Sequence, residues 1–370
     1  MNATRAVDLE DTEGLLNADR EGLLRAASSA GAQVRAIAAA AAEGELDSLH
    51  NVDRPRSVIW VAGRGTAETA GTILAATLGG AASEPIVLAG EVPPWLGPLD
   101  VLIVAGDDPG DPALVTAAAT GVRRGSPVVV VAPYEGPLRD STAGRAAVLA
   151  PRLWVPDEFG LCRYLAAGLA AVQTLDQRPS TDLGLLADEL DAEALRNSAA
   201  RELFTNPAKT LATRMADRQV ALTGDCAATL ALARHGSSVL LRTAGRVVAA
   251  AGLGDAMIAL RSAPSDGFAD PADALFHDEE IDGPLPQRLR VLALTLAAER
   301  AVVGARLAGF DDVDVVAADD VPELSDAPDA SGVPAGPARG ATGAQRAEQQ
   351  LAVLAVRLEM AAVYMRLARG

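Results

Sequence analysis

Two glycine-containing loops hold the residues best suited to bind a ligand. Each loop directly follows a short apolar run: residues 63–69 follow 57–62, and residues 106–111 follow 101–105. Continuous Val/Ile runs indicate buried parallel strands, and ligands bind at the carboxyl ends of such strands. A glycine-rich turn into a helix also offers free backbone N–H groups to an anion. The predicted ligand-binding residues are Gly63, Arg64, Gly65, Thr66, Gly106, Asp107 and Gly110.

The first loop does not match a nucleotide-binding motif. A dinucleotide fingerprint needs a third glycine, and Glu68 occupies that position. The Gly-Lys-Ser/Thr of a phosphate-binding loop is also absent from the sequence. We therefore predict no cofactor. Arg64 has two interpretations: it binds an anion, or it pairs with Glu68 one turn along.

The second loop is acidic. Asp107, Asp108 and Asp111 lie close together in sequence and could bind a divalent ion. A fourth oxygen-rich ligand is missing from the pattern, so we favour Asp111 as a helix N-cap and predict no metal site.

No residue stands out as catalytic. The candidates for acid–base chemistry are Asp255 and His277, which precedes three carboxylates in the sequence. A solvated acidic turn is the alternative for His277. We expect His50 and His235 at the surface or at helix ends.

The two cysteines do not have metal-ligand spacing. Cys162 and Cys226 both lie in apolar stretches for which the pattern predicts helices, and this favours reduced thiols in the core. A disulfide or a catalytic thiol is the alternative.

Composition limits the partners. The chain of 370 residues has a formal net charge of -17, which disfavours nucleic acid and anionic lipid as partners because both are negatively charged. The first 21 residues lack the apolar region of a signal peptide, and no apolar run reaches the roughly 20 residues that span a bilayer. We expect a cytoplasmic protein.

Apolar runs alternate with helical stretches along the chain, which predicts an α/β protein with parallel sheets covered on both faces. In the first half we predict strands at 57–62, 85–88, 101–105, 127–132 and 153–155, and helices at 66–78, 111–124 and 157–175. In the second half we predict strands at 219–224, 238–241, 257–260 and 313–316, and helices at 227–235 and 286–308.

Five segments follow from this pattern. They are an N-terminal helical segment (1–50), a first α/β domain (51–180), a second (181–321), a flexible acidic linker rich in Pro and Gly (322–343) and a C-terminal helix (344–370). The last helix carries an apolar stripe that includes Leu351, Leu354 and Leu358. It must dock on the body or on another subunit to bury that stripe, and we expect Tyr364 and Met365 to serve this docking.

The order of motifs resembles the sugar isomerase (SIS) family, in particular the bifunctional phosphoglucose/phosphomannose isomerases and an actinobacterial TobH-like group. Residues 63–74 are similar to the family's Gly-Met-Gly-Gly-Ser loop and its helix. Residues 105–114, followed by 124–131, are similar to its Ser-Tyr-Ser-Gly-Asn-Thr loop, helix and next strand. Residues 206–212 resemble its Asn-Pro-Ala helix, and 358–370 its terminal helix. The resemblance implies two SIS-like domains and a homodimer.

The side chains depart from the family's pattern at the positions that do its chemistry. Ala67 stands where the first loop supplies a serine, and Ala105, Asp107 and Gly110 stand where the second supplies hydroxyls. The family's catalytic Glu has no counterpart, because residues 234–252 contain no carboxylate. Its His is missing near Asp255, and its terminal Lys is missing as well.

Taken with these departures, the resemblance implies a degenerate, non-catalytic protein of hexose-phosphate (mannose) metabolism. Such a protein would bind a sugar phosphate or sugar derivative, or act as a regulatory partner of a sugar-phosphate enzyme. The alternative is an active glucose-6-phosphate/mannose-6-phosphate isomerase with relocated catalytic groups.

Overall fold

Two parallel sheets form the framework of the protein. The computed structural model describes residues 7–52, 54–80, 82–176, 181–216, 218–262, 289–319 and 346–369. The first sheet has the order β2-β1-β3-β4-β5 and comprises β1 (Ser57–Ala62), β2 (Ile86–Ala89), β3 (Asp100–Ala105), β4 (Val128–Val131) and β5 (Ala146–Val148). The second has the order β7-β6-β8-β9 and comprises β6 (Gln219–Gly224), β7 (Ala249–Gly252), β8 (Leu289–Leu294) and β9 (Val313–Val316). The predicted α/β class with two parallel sheets is confirmed.

Helices cover both sheets. In chain order they are α1 (Thr12–Ala18), α2 (Leu23–Ala27), α3 (Ala30–Ala42), α4 (Thr66–Leu78), α5 (Pro112–Arg124), α6 (Gly136–Thr142), α7 (Leu161–Leu175), α8 (Leu183–Arg196), α9 (Pro207–Met215), α10 (Ala227–Ala244), α11 (Leu253–Ser262), α12 (Arg300–Leu307) and α13 (Ala347–Arg369). No helix within these described ranges is long and apolar enough to cross a membrane.

Strand β1 is buried on both faces because its side chains alternate between two layers. Val58 and Trp60 face the core that contains α4 and α7. Ile59 and Val61 face the core that contains α5. Strands β1 and β3 pair in register to their ends at Ala62 and Ala105, so the loops that follow them leave the sheet side by side.

Helix α4 is held close to β1 by a tryptophan. The Trp60 indole Nε1 donates a hydrogen bond to the Ala67 carbonyl oxygen at 3.0 Å. A Cβ at Gly71 would lie 2.4 Å from the Trp60 ring, so only glycine allows this approach. The amino end of α4 is thereby fixed above the carboxyl edge of the first sheet.

The C-terminal helix α13 is buried on nearly every face. It packs against α10, α9 and α8 of its own chain, which confirms the prediction that this helix docks. Tyr364 is a docking residue as expected: its buried hydroxyl donates to the Asn197 carbonyl oxygen at 2.6 Å. Met365 is buried as well.

Four predicted elements were wrong. Residues 238–241 lie inside α10 and 257–260 inside α11, not in strands. The predicted helix 286–308 contains β8 and then α12 in its described part. Residues 153–155 are irregular, and β5 lies a few residues earlier. Short apolar runs suit a buried helix face as well as a strand, so periodicity does not separate the two.

Helices α1 to α3 lie in the predicted N-terminal segment, and α3 packs against α8. The linker 322–343 lies outside the described residues. The domain boundaries proposed after residues 50, 180 and 321 remain predictions.

Candidate functional site

The two glycine loops lie at the carboxyl ends of their strands, as the sequence predicts, and the structure shows that they meet there. The Gly63 N–H donates to the Ala105 carbonyl oxygen at 2.7 Å, and the Gly106 N–H donates to the Val131 carbonyl oxygen at 3.2 Å. A Cβ at Gly63 would lie 3.6 Å from the Gly106 Cα. The loops are therefore in contact through their glycine backbones.

The first loop opens into the amino end of α4. Gly65 is the N-cap residue, with a φ of 83° that favours glycine, and no side chain caps the helix. The free N–H groups of the first turn and the helix dipole favour an anion here. Arg64 is exposed; within the described residues it makes no ion pair with Glu68, so the pairing interpretation was wrong. The buried Thr66 hydroxyl donates to the Asp157 carbonyl oxygen at 3.0 Å.

The acidic second loop forms local turns. The Asp111 carboxylate caps α5 by accepting from the Ala113 N–H at 2.8 Å, which confirms the N-cap interpretation. Asp108 accepts from the Gly110 N–H at 2.8 Å. Asp107 instead reaches across to α7 and forms an ion pair with Arg163 at 2.6 Å. In the described parts of the chain no group of three His, Cys, Asp or Glu side chains could hold a metal ion.

A cleft of about 220 Å³ lies between α4 and α10, beside the first loop. Gly65 and Thr66 line it from the amino end of α4. Arg234, His235 and Arg242 line it from α10. The cleft therefore joins the predicted anion site of the first sheet to a helix of the second.

Arg242 connects the two sides of the cleft. Its Nη2 lies 2.7 Å from Asp157 Oδ1 and 3.2 Å from Glu158 Oε2. Burial raises the pKa of Glu158, and the neighbouring Asp157 adds to the effect. Burial alone would also raise the pKa of Asp157, but the hydrogen bond and charge of Arg242 outweigh it and lower that pKa.

His235 lines the cleft and contacts a carboxylate of the C-terminal helix behind it. Its Nε2 lies 2.8 Å from Glu359 Oε1, and both side chains are almost fully buried. The expectation that His235 lies at the surface or at a helix end was wrong, because α10 continues nine residues beyond it to Ala244. Burial raises the pKa of Glu359, and the hydrogen bond from His235 only partly opposes this.

The remaining candidates lie elsewhere. Asp255 is exposed in the first turn of α11 and does not line the cleft. His277 lies outside the described residues. Cys162 is buried as expected, and burial raises the pKa of its thiol. Cys226 is exposed at the N-cap of α10, so its assignment to the core was wrong.

Sequence reasoning missed the cleft residues of α10, among them Arg234 and Arg242, as well as Glu158, Glu359 and the buried role of His235. The pairs Arg242–Glu158 and His235–Glu359 are 84 and 124 positions apart in the sequence, so no local spacing joins them. The one local signal is the pair of acids, Asp157 and Glu158, with which the predicted helix 157–175 begins.

Comparison with known proteins supports the fold. No protein-family model and no curated protein matches the sequence. Among solved structures, the C-terminal domain of glucosamine-fructose-6-phosphate aminotransferase from Francisella tularensis is similar, with a TM-score of 0.57, 12% identity and coverage of 94% of this chain and 96% of that one. A putative phosphosugar isomerase from Bacillus subtilis gives a TM-score of 0.57, 14% identity and coverage of 92% and 95%. Tagatose-6-phosphate ketose/aldose isomerase from Escherichia coli gives 0.56, 16% identity and coverage of 100% and 96%. The chain has the SIS-type fold that its motifs predict.

Proposed function

We propose that this protein binds a phosphorylated sugar or a sugar derivative in the cleft between α4 and α10. The observation that carries the proposal is the uncapped amino end of α4, which opens on a cleft lined by Arg234 and Arg242. Backbone N–H groups and guanidinium groups together favour a phosphate monoester. The polar wall formed by Thr69, Thr72 and Ser238 suits sugar hydroxyls.

The similar folds support a sugar-phosphate ligand. Two of the similar solved structures carry names that refer to phosphorylated sugars or their isomerisation, and the third is described as a putative phosphosugar isomerase. We assign the chain, on its motifs, to the phosphoglucose/phosphomannose isomerase group and its TobH-like members.

The proposed role is binding or regulation and not catalysis. Residues 234–252 carry no carboxylate, and Asp255 is exposed on α11 away from the cleft. A general base placed at the substrate contributes about 10²–10⁴ in rate, so its loss slows the reaction by that factor. On the resemblance we also propose a homodimer in the cytoplasm and an enzyme of hexose-phosphate metabolism as its partner.

An isomerase with relocated groups is the second candidate, and Glu158 and His235 favour it. Aldose–ketose isomerisation moves a proton between two neighbouring carbons, which requires a group that can accept and return it. Glu158 faces the cleft with a raised pKa, and a raised carboxyl pKa suits proton transfer near neutral pH. His235, held by Glu359, would then assist ring opening.

Calorimetric titration with glucose 6-phosphate and mannose 6-phosphate tests the binding proposal. We expect saturable binding, and roughly tenfold weaker binding in Arg234→Gln, because a hydrogen bond to a charged group is worth about 1.5–3 kcal/mol. Arg306→Gln on α12 is the matched control, since Arg306 does not line the cleft. Equal affinities in the two variants, or no binding at millimolar ligand, would refute the proposed site.

A coupled isomerase assay separates the two candidates. Binding without turnover supports the regulatory role. Turnover above about 1 s⁻¹, the low end of ordinary enzymes, that is lost in Glu158→Gln would establish the isomerase instead.

A further inference from the structure

Arg163 is a buried cation beside the second glycine loop. Its side chain is 9% exposed, and its Nη2 lies 2.6 Å from Asp107 Oδ1. Its Nη1 is buried and meets no hydrogen-bond acceptor among the described residues. The guanidinium also stacks on the Tyr164 ring, 4.2 Å from the ring centroid.

This arrangement is incomplete for a structural ion pair. A guanidinium that serves only to stabilise a fold is typically satisfied on both of its terminal nitrogens, often by a bidentate carboxylate. Here a single oxygen of Asp107 accepts from Arg163, and a buried unsatisfied N–H group in a native structure needs an explanation. A missing anionic ligand with several acceptor oxygens is such an explanation.

Asp107 lies on the solvent side of this cation. Its side chain is 35% exposed and that of Arg163 is 9% exposed, so an anion that approaches from solvent meets Asp107 first. The charge of Arg242, which lines the cleft, also acts on Asp107. Asp107 follows Gly106, whose backbone contacts Gly63 at the start of the first loop. The Asp107–Arg163 pair therefore lies at the same edge of the sheet as the proposed ligand site.

We propose that Arg163, beside the cleft, is a further phosphate-binding residue that acts together with the amino end of α4 and the arginines of α10, and that the Asp107 carboxylate occupies its position when no ligand is bound. A phosphate monoester replaces the Asp107 carboxylate, which rotates toward solvent, and accepts hydrogen bonds from both Nη1 and Nη2. No covalent bond changes. This inference rests on the proposed function, because it requires that the cleft takes a phosphorylated ligand. It predicts weak binding by the native chain, since ligand and carboxylate compete for one cation.

The neighbouring aspartate provides a matched control. Asp108 carries the same charge one residue along, and among the described residues its carboxylate accepts from the Gly110 N–H within its own turn and makes no ion pair. Affinities for glucose 6-phosphate and inorganic phosphate are measured by calorimetry for the native chain, Asp107→Asn, Asp108→Asn and Arg163→Gln. We expect Asp107→Asn to bind both anions at least about tenfold more tightly than Asp108→Asn. Arg163→Gln should lose binding, and Arg163→Lys should recover part of it. Unphosphorylated glucose should show no gain in any variant.

Equal affinities in the Asp107 and Asp108 variants would overturn this inference. If both then bind glucose 6-phosphate as the native chain does, the proposed function stands without it. If no variant binds any phosphate, the proposed function fails as well. Thermal unfolding of each variant identifies a loss of fold, and the gain expected in Asp107→Asn does not depend on the Arg163 variants.

Discussion

Replacing Arg357 by methionine should destabilise the protein more than any surface substitution on the same helix. Arg357 is 1% exposed on α13. Its Nε lies 2.8 Å from Glu193 Oε1, and its Nη1 and Nη2 donate to the carbonyl oxygens of Ala317 and Ala318 at 2.9 and 3.0 Å. The residue thus joins α13 to α8 and to the segment that follows β9.

The expected loss is about 3 kcal/mol. Removing one partner of a buried ion pair costs about 3–5 kcal/mol, because the other charge stays buried. In the variant, Glu193 still has a second cation, because Arg196 donates to its Oε2 from Nε at 3.0 Å and from Nη2 at 2.9 Å. The expected loss of stability is therefore at the low end of this range. About 3 kcal/mol is a large part of the 5–15 kcal/mol by which a domain is stable.

Urea unfolding followed by circular dichroism measures this loss. Arg366→Met is the control on the same helix, because the ion pair of Arg366 with Glu21 is exposed on both sides and such pairs are worth about 0–1 kcal/mol. The double variant Glu193→Gln/Arg357→Met should be less destabilised than the sum of the single variants. If Arg357→Met loses no more than Arg366→Met, the buried pair does not hold α13.

Further predictions concern pH and backbone packing. The raised pKa of Glu359, despite its hydrogen bond from His235, means that ionising this carboxyl weakens the fold as pH rises above its ordinary value of 4.5. The free energy of unfolding of Glu359→Gln, measured by urea titration relative to that of the native chain, should therefore increase between pH 4 and 7. A difference between the two proteins that does not change with pH would contradict this. Gly224→Ala should cost about 1–3 kcal/mol or more, because a Cβ there would lie 2.2 Å from the Leu230 backbone nitrogen. Gly304→Ala, in the interior of α12 with nothing within 4 Å of the new Cβ, should instead stabilise the protein by about 0.4–1 kcal/mol; thermal unfolding compares the two.

The first sheet was predictable because its strands are buried on both faces. Strands β1, β3 and β4 consist almost entirely of Val, Ile and other apolar residues, with a glycine or proline within two residues of each end. The second half offers weaker signals. Strand β7 is Ala-Ala-Ala-Gly, and the Val-Leu-Leu of residues 239–241 belongs to one turn of α10. Alanine and short leucine runs fit either element, so tertiary packing decided between them.

The loops of the site were predictable for a similar reason, and the acid–base groups were not. Gly63 and Gly106 follow neighbouring parallel strands, and topology alone brings such positions together. The pair of His235 and Glu359 depends on how α13 is rotated against α10. Packing along the whole of α13 fixes that rotation, because the helix is buried on most faces. The apolar stripe of α13 in the sequence therefore did not show that Glu359 points into the core.

Two buried carboxyls lie where α13 packs, Glu193 on α8 and Glu359 on α13 itself, and they show how the number of charged partners decides the direction of a pKa shift. Burial is the largest single contribution at both carboxyls, and taken alone it would raise the pKa of each. At Glu193 two guanidinium groups, Arg357 and Arg196, outweigh burial and the pKa is lowered. At Glu359 a single imidazole does not, and the pKa stays raised. The contribution of Glu193 to stability is therefore lost as pH falls through its lowered pKa, and that of Glu359 is lost as pH rises through its raised pKa. We therefore expect the packing of α13 to be most stable in mild acid, between the lowered pKa of Glu193 and the raised pKa of Glu359.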